Sequence, residues 1–164
     1  MGRNANELRM RRAMELWEEG YRAMLQGELD SAIELFGNSI EVHPTAEAYT
    51  FRGWAFSFQG KVDEAIAECH KAIDVDPSFG NPYNDIGSYL MAKGELDEAI
   101  PWFERAKEAP RYEPRHFPYL NLGRVFTQKG LLRKALEEFK VALEIHPGDD
   151  MATGAVEALT RQLN

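Results

Sequence analysis

Residues 49–77 read YTFRGWAFSFQGKVDEAIAECHKAIDVDP, and the reading of this stretch decides the fold. Gly53 sits inside a helix-like apolar run, Gly60 ends that run, Ala65 follows Gly53 by twelve positions, and Pro77 closes the stretch. The same layout appears three more times along the 164 residues. The first glycines are Gly20, Gly53, Gly87 and Gly123, separated by 33, 34 and 36 residues. Alanines follow at Ala32, Ala65, Ala99 and Ala135, then Phe36, Cys69, Phe103 and Phe139, then Ser39, Ala72, Ala106 and Ala142. A period in this range marks supersecondary units that bury their apolar faces only by stacking on one another.

Each recurrent position has a packing reason. Glycine inside a helix costs about 1 kcal/mol relative to alanine, so four of them imply that the neighbouring helix comes close. A second set, Gly27, Gly60, Gly94 and Gly130, ends each first helix, where glycine takes a left-handed turn cheaply. Asp30, Asp63 and Asp97 stand at the expected start of the second helix and are read as its caps. Repeat four has Arg133 there and is expected to be capped less well. Pro44, Pro77 and Pro147 close their repeats because proline cannot continue a helix.

The units are therefore helical hairpins of roughly 34 residues each. Their helices are expected at about 13–25 with 30–42, 47–59 with 63–75, 82–93 with 97–109, and 118–129 with 133–145. Pro101 is kept inside its helix with a local distortion, and the third unit carries a loop two residues longer through Pro110 and Pro114. Met151, Ala155, Val156, Leu159 and Leu163 fall mostly three or four apart, which predicts an amphipathic ninth helix with Thr153, Glu157, Arg161 and Gln162 outward. The organisation expected is a basic, helical N-terminal extension over 1–12, four repeats at about 13–45, 46–79, 80–115 and 116–149, and a capping helix over 150–163. The extension prolongs the first helix and places Leu8 near the stack, with its arginines in water. The fold class is all-α: a solenoid of four hairpins plus a C-terminal capping helix.

The net charge of −8 combines a basic start, with Arg3, Arg9, Arg11 and Arg12 against Glu7, and an acidic body. An acidic body gives no electrostatic reason for nucleic-acid binding. No stretch reaches the roughly 18 apolar residues of a membrane span, and the polar start does not resemble a secretory leader, so a cytoplasmic protein without membrane insertion is expected. Cys69 is the only cysteine and lies in a helical pattern, where burial as a small apolar residue is the expected role.

The repeated residues resemble the tetratricopeptide repeat family over about residues 13–147. Repeat two matches with Tyr49, Gly53, Phe56, Ala65, Ala72 and Pro77, and repeat three with Tyr83, Ile86, Gly87, Leu90, Ala99, Phe103 and Ala106. Repeat four matches with Tyr119, Leu122, Gly123, Phe126, Ala135, Phe139, Ala142 and Pro147. In repeat one Leu16 fills the place of the family's usual large residue, and Trp17 comes one place later. The resemblance implies a right-handed α-α superhelix whose first helices line a concave, peptide-binding groove.

Carried onto this chain, the groove positions are Trp17, Tyr21, Thr50, Phe51, Trp54, Asn84, Asp85, Ser88, Leu120, Asn121 and Arg124. The next turn adds Met24, Leu25, Ser57, Phe58, Met91, Thr127 and Gln128. Phe51, Trp54 and Phe58 also share one helix face by spacing alone. Trp17, Tyr21, Phe51, Trp54 and Phe58 form an aromatic half suited to a peptide, unless Trp54 and Phe58 fill the space between successive repeats. Asn84, Asp85, Ser88, Asn121 and Arg124 form a polar half, whose asparagines could pair with a peptide backbone. Arg124 could take a carboxylate or pair with Asp85. One subclass of the family grips an acidic chaperone tail with a lysine, arginine and asparagine cluster; the aligned Trp17, Tyr21, Phe51, Asn81 and Asp85 fit that task badly.

Catalysis finds no support. His43, His70, His116 and His146 have no three- or four-residue spacing, no phosphate loop is present, and acidic pairs such as Glu18-Glu19 and Glu137-Glu138 read as solvated helix exteriors. No metal or cofactor is expected. The expected function is a non-catalytic adaptor that binds another protein or peptide in the groove. The alternative is a self-associating scaffold subunit, a homo-oligomer built through the stack's edges or its groove, with Leu8, the basic arm and the C-terminal helix taking part.

Overall fold

The computed structural model describes residues 2–164, with side chains from residue 4 onward. Met1 and the side chain of Arg3, part of the expected basic extension, lie outside the described residues. The helices are α1 (Gly2–Leu25), α2 (Leu29–Val42), α3 (Ala46–Phe58), α4 (Val62–Val75), α5 (Asn81–Ala92), α6 (Leu96–Glu108), α7 (Phe117–Gln128), α8 (Leu132–Ile145) and α9 (Asp150–Leu163). They fall into two compact units, the first ending at Pro82 and the second beginning at Tyr83. Among the described residues no helix is long and apolar enough to cross a membrane.

The four hairpin turns are built alike, and the backbone builds them. Gly27, Gly60, Gly94 and Gly130 have φ of 78°, 77°, 80° and 73°, a region open to glycine at little cost. In the first turn the Gly27 N–H donates to the Met24 carbonyl at 3.0 Å and the Glu28 N–H to the Ala23 carbonyl at 3.0 Å. This pair of bonds satisfies two otherwise orphaned carbonyls at the helix end. Gly60 with Lys61, Gly94 with Glu95, and Gly130 with Leu131 repeat it.

The aspartates are not the caps expected of them. The second helices start one residue before Asp30, Asp63, Asp97 and Arg133, and the capping positions fall on Glu28, Lys61, Glu95 and Leu131, none of which makes a side-chain cap bond. Repeat four is therefore capped no worse than the others. Asp30 instead accepts a bond from Gln59 Nε2 at 2.7 Å, and Asp97 pairs with the Lys129 ammonium, so each reaches the end of the next repeat's first helix. Side-chain caps occur at Thr45, which accepts from the Ala48 N–H at 3.1 Å, and at Asp149, which accepts from the Ala152 N–H at 2.7 Å.

In the first unit, Phe36 packs under Gly20, where a Cβ would lie 2.8 Å from the ring. Ala23, Met24, Ala32, Phe36 and Ala55 form the core with Trp17, Phe51 and Trp54 partly buried against it. Burying one such phenylalanine contributes about 2–3 kcal/mol. Repeat two is built differently: fully buried Cys69 replaces the ring, and a Cβ on Gly53 would meet the Ala65 carbonyl oxygen at 3.2 Å. Beside it Glu68 is 4% exposed, held by Arg52 Nε at 2.7 Å and Lys71 Nζ at 3.0 Å. The Ser39 hydroxyl donates to the Ala13 carbonyl at 2.7 Å, tying the end of α2 to α1. Residues 4–12 of α1 are all exposed. Leu8, expected near the stack, is 56% exposed, because among the described residues no helix packs against α1 that far along it.

In the second unit, a Cβ on Gly87 would lie 2.6 Å from the Phe103 ring, and one on Gly123 would lie 2.6 Å from Phe139. Ala99, Phe103, Leu122, Val125, Ala135, Phe139 and Ala142 form one core, and Ala152 and Leu159 of α9 complete it. Met151, read as part of the inward face of α9, is exposed, while neighbouring Ala152 is fully buried. The α6 helix runs through Pro101 unbroken. In the longer third loop Tyr112 is buried, and Arg115 Nη2 donates to the Ala109 and Pro110 carbonyls at 3.1 and 2.8 Å. Glu138 is not a solvated carboxylate: it is half-buried beside Lys107, whose ammonium lies 2.9 Å from it. Burial pushes its pKa up, and Lys107 opposes the shift.

Candidate functional site

The aromatic half lies in the first unit, on α1 and α3. Trp17 and Tyr21 are four apart on α1, and their rings stack in parallel at 1° with centroids 5.7 Å apart. Phe51 of α3 presents its edge to both, at 5.0 Å from Trp17 and 5.6 Å from Tyr21. Trp54, one turn on, lies 4.4 Å from Phe51, and Phe36 backs the cluster at 6.1 Å. Each such pair adds about 0.5–1.5 kcal/mol beyond burial, so Phe51 is the centre that holds the others in place.

The five expected aromatics divide by depth. Trp17, Phe51 and Trp54 are half-buried, Tyr21 is 36% exposed and Phe58 is 66% exposed. The Trp17 Nε1–H is buried with no acceptor among the described residues. Met24 and Thr50, carried over as groove positions, are buried; the Thr50 hydroxyl donates to the Ala46 carbonyl of its own helix at 2.7 Å. Leu25 is exposed beside them.

The polar half lies in the second unit, on α5 and α7. Asn121 Nδ2 donates to Asn84 Oδ1 at 3.0 Å and reaches Ser88 Oγ at 3.5 Å. Arg124 Nη1 donates to Asn121 Oδ1 at 3.4 Å. Asn84 is buried, so the two asparagine side chains are engaged with each other rather than held open for a peptide backbone. Leu120, another expected groove position, is in the core. Half-buried Asp85 acts on buried Tyr112, whose phenol is pushed well above its usual range by burial first and by that carboxylate second.

One contact escaped the sequence reading. His116, at the start of α7, stacks on His146, at the end of α8, with centroids 4.5 Å apart and planes at 22°. Its Nε2 lies 3.8 Å from Asp149 Oδ2. Burial lowers the His116 pKa, His146 lowers it further, and Asp149 partly opposes them. Local spacing could not reveal this pair, but hairpin geometry could: the two residues flank the open end of one repeat. Among the described residues no group of three His, Cys, Asp or Glu could hold a metal ion.

Comparison with known proteins agrees with this architecture. The tetratricopeptide repeat family model matches residues 18–78 and 52–114. The chain is 35% identical over 98 residues to small glutamine-rich tetratricopeptide repeat-containing protein 2 of Mycosarcoma maydis, covering 59% of this chain and 28% of that one. It is 31% identical over 98 residues to heat shock protein STI1 of Saccharomyces cerevisiae, covering 58% and 17%. It thus spans less than a third of the length of these curated relatives. The solved structure of Pseudomonas aeruginosa pilF superposes with a TM-score of 0.87 at 21% identity, over 94% of this chain and 70% of that one. The glycine-centred hairpins, the ring packed beneath three of the four first glycines and the matched family model lead to one conclusion: the chain belongs to the tetratricopeptide repeat family.

Proposed function

We propose that the chain acts as an adaptor that binds a segment of another protein on the aromatic face of α1 and α3. The observation that carries this reading is the exposure of Tyr21 and Phe58 beside a cluster already rigidified around Phe51. Rigid aromatic side chains supply binding area at little conformational cost, and such residues dominate interface energetics. Asn84 and Asn121 of the second unit satisfy one another and are not assigned to this face. A cytoplasmic location belongs to the same proposal.

Pull-down of interacting proteins with the wild type and a Tyr21→Ala/Phe58→Ala variant tests it. Phe58 is largely exposed, whereas Tyr21 packs on Trp17 and Phe51, so the variant should lose about 1–3 kcal/mol of folding stability; a thermal melt confirms that it folds, and partner recovery falls. Equal recovery of the same partners by both proteins refutes the aromatic face as the binding surface.

A second reading, self-association, is favoured by exposed apolar residues at the N-terminal end of α1: Leu8, Met10 and Met14. Light scattering at two concentrations separates the two readings. A strictly monomeric chain rules out the second.

A further inference from the structure

The first helix is longer than its hairpin requires. Residues 4–12 of α1 are exposed, and the outward side of the helix stays exposed beyond them through Met14, Glu18 and Arg22. Glu7, Met10, Arg11, Met14, Glu15 and Glu18 line one shallow depression on this side, by the three- and four-residue spacing that aligns side chains. Arg22 continues the row four residues after Glu18.

The charges of α1 follow an order of their own. Over residues 4–25 they run Glu7, Arg9, Arg11, Arg12 and then Glu15, Glu18, Glu19, Arg22. Reversing the helix direction together with every sign gives the same order again. Glu7 and Arg22 lie seven residues either side of the pair Met14 and Glu15, and Arg11 and Glu18 lie three either side. Among the described residues none of these four is in an ion pair, whereas Arg12 is held by Glu15 at 3.2 Å. Arg9 and Glu19 keep the same order off this face. Glu47 of α3 borders Met10 and Met14 on the other flank and is engaged within the chain.

Packed against itself, such a row has one arrangement that matches signs. In a parallel pair each residue meets its own copy, carboxylate on carboxylate and guanidinium on guanidinium, which repels. In an antiparallel pair Glu7 meets Arg22 of the second copy, Arg11 meets Glu18 of the second copy, and the two-fold axis repeats both contacts. Met14, 58% exposed, then falls at the axis, where its flexible thioether adapts to the opposing surface. The eight charges cancel, so this helix is spared the repulsion that a net charge of −8 sets between whole copies.

We propose that the exposed face of α1 binds a second copy of this chain, α1 against α1, antiparallel about Met14. The inference rests on the self-association reading above and names its surface. Glu7 to Arg22 spans about 22 Å along the helix axis. A contact of that size makes a weak, reversible dimer, and its exposed ion pairs make it sensitive to salt.

The test is sedimentation equilibrium of the full chain from low micromolar to millimolar concentration. The wild type should show a monomer–dimer equilibrium whose Kd rises with salt. Arg11→Glu sets carboxylate against carboxylate, and Glu18→Arg sets guanidinium against guanidinium, so each should raise the Kd about tenfold or more. Arg11→Glu/Glu18→Arg reverses both signs and should restore the wild-type Kd. Arg9→Glu makes the same change of net charge on the far side of the helix and should leave the Kd within about threefold. All three residues are exposed, and thermal melts confirm that the variants fold. A dimer indifferent to the single reversals, or one that the double reversal fails to restore, overturns the antiparallel contact and leaves self-association standing through another surface. Weakening by Arg9→Glu as large as that by Arg11→Glu also overturns it, because net charge then sets the Kd. A chain that stays monomeric throughout overturns both readings.

Discussion

Replacing Gly123 by alanine sets two opposed effects against each other, and the structure decides which is larger. In a helix interior the substitution alone stabilises by about 1 kcal/mol. At this position the new Cβ would lie 2.6, 2.7 and 2.8 Å from three atoms of the Phe139 ring. The ring is almost fully buried and cannot turn away without moving its neighbours. Overpacking of this kind costs about 1–3 kcal/mol, so Gly123→Ala should destabilise by up to about 2 kcal/mol net. In a Phe139→Leu background the obstructing ring is gone, and the same substitution should become neutral or stabilising by about 1 kcal/mol. The four proteins form a double-mutant cycle with a coupling energy of about 1–3 kcal/mol, read by urea denaturation with far-UV circular dichroism. Additive effects would refute the claim that this glycine exists to admit the ring.

Two further outcomes follow from buried charge and titration. The lowered His116 pKa means that the unfolded chain binds the proton more tightly. Its contribution to stability is therefore fully present above the ordinary value of 6.5 and is lost as pH falls from there through the folded value, at up to about 1.4 kcal/mol per pH unit. Melting temperatures at pH 7.5 and 5.5 should show a smaller acid-induced drop in His116→Gln than in the wild type, and equal drops would refute the assignment. Arg52→Met leaves the buried Glu68 carboxylate held by Lys71, whose side chain is about half exposed, and should cost about 1–3 kcal/mol. Arg52→Met/Glu68→Met should recover much of that loss; a double variant as unstable as the two single losses combined would refute the pairing as the cause.

The repeat was legible because its residues act through the backbone and through volume. A glycine at φ near 80° and an alanine or glycine where helices touch leave a periodic mark that one chain displays four times. Phe36, Phe103 and Phe139 recur at one spacing from their glycines, and their rings lie under Gly20, Gly87 and Gly123. The aspartates misled because acidic residues are favoured both at the cap and in the first turn inside it. The capping position falls two residues earlier, at Glu28 and Glu95, which frees Asp30 and Asp97 to link to the next repeat. Leu8 and Met151 misled because periodicity reports which face a residue occupies and not whether a neighbour reaches that far along it. The site was less legible for a related reason. The aromatics of α1 and α3 could be placed on a face, but their depth depends on side-chain packing around Phe51.

The sequence by itself determined the number of hairpins, their turns and the apolar faces that join them, since these follow from local backbone preference and helical period. Only the tertiary structure decided which polar groups remain available. Asn84 and Asn121 close on each other, His116 stacks on His146, and Glu138 is drawn against Lys107. These are contacts between residues about 30 or more positions apart, whose geometry depends on where whole helices settle. The exposure of Met10 and Met14 depends on the same thing, since α1 outruns its partner α2.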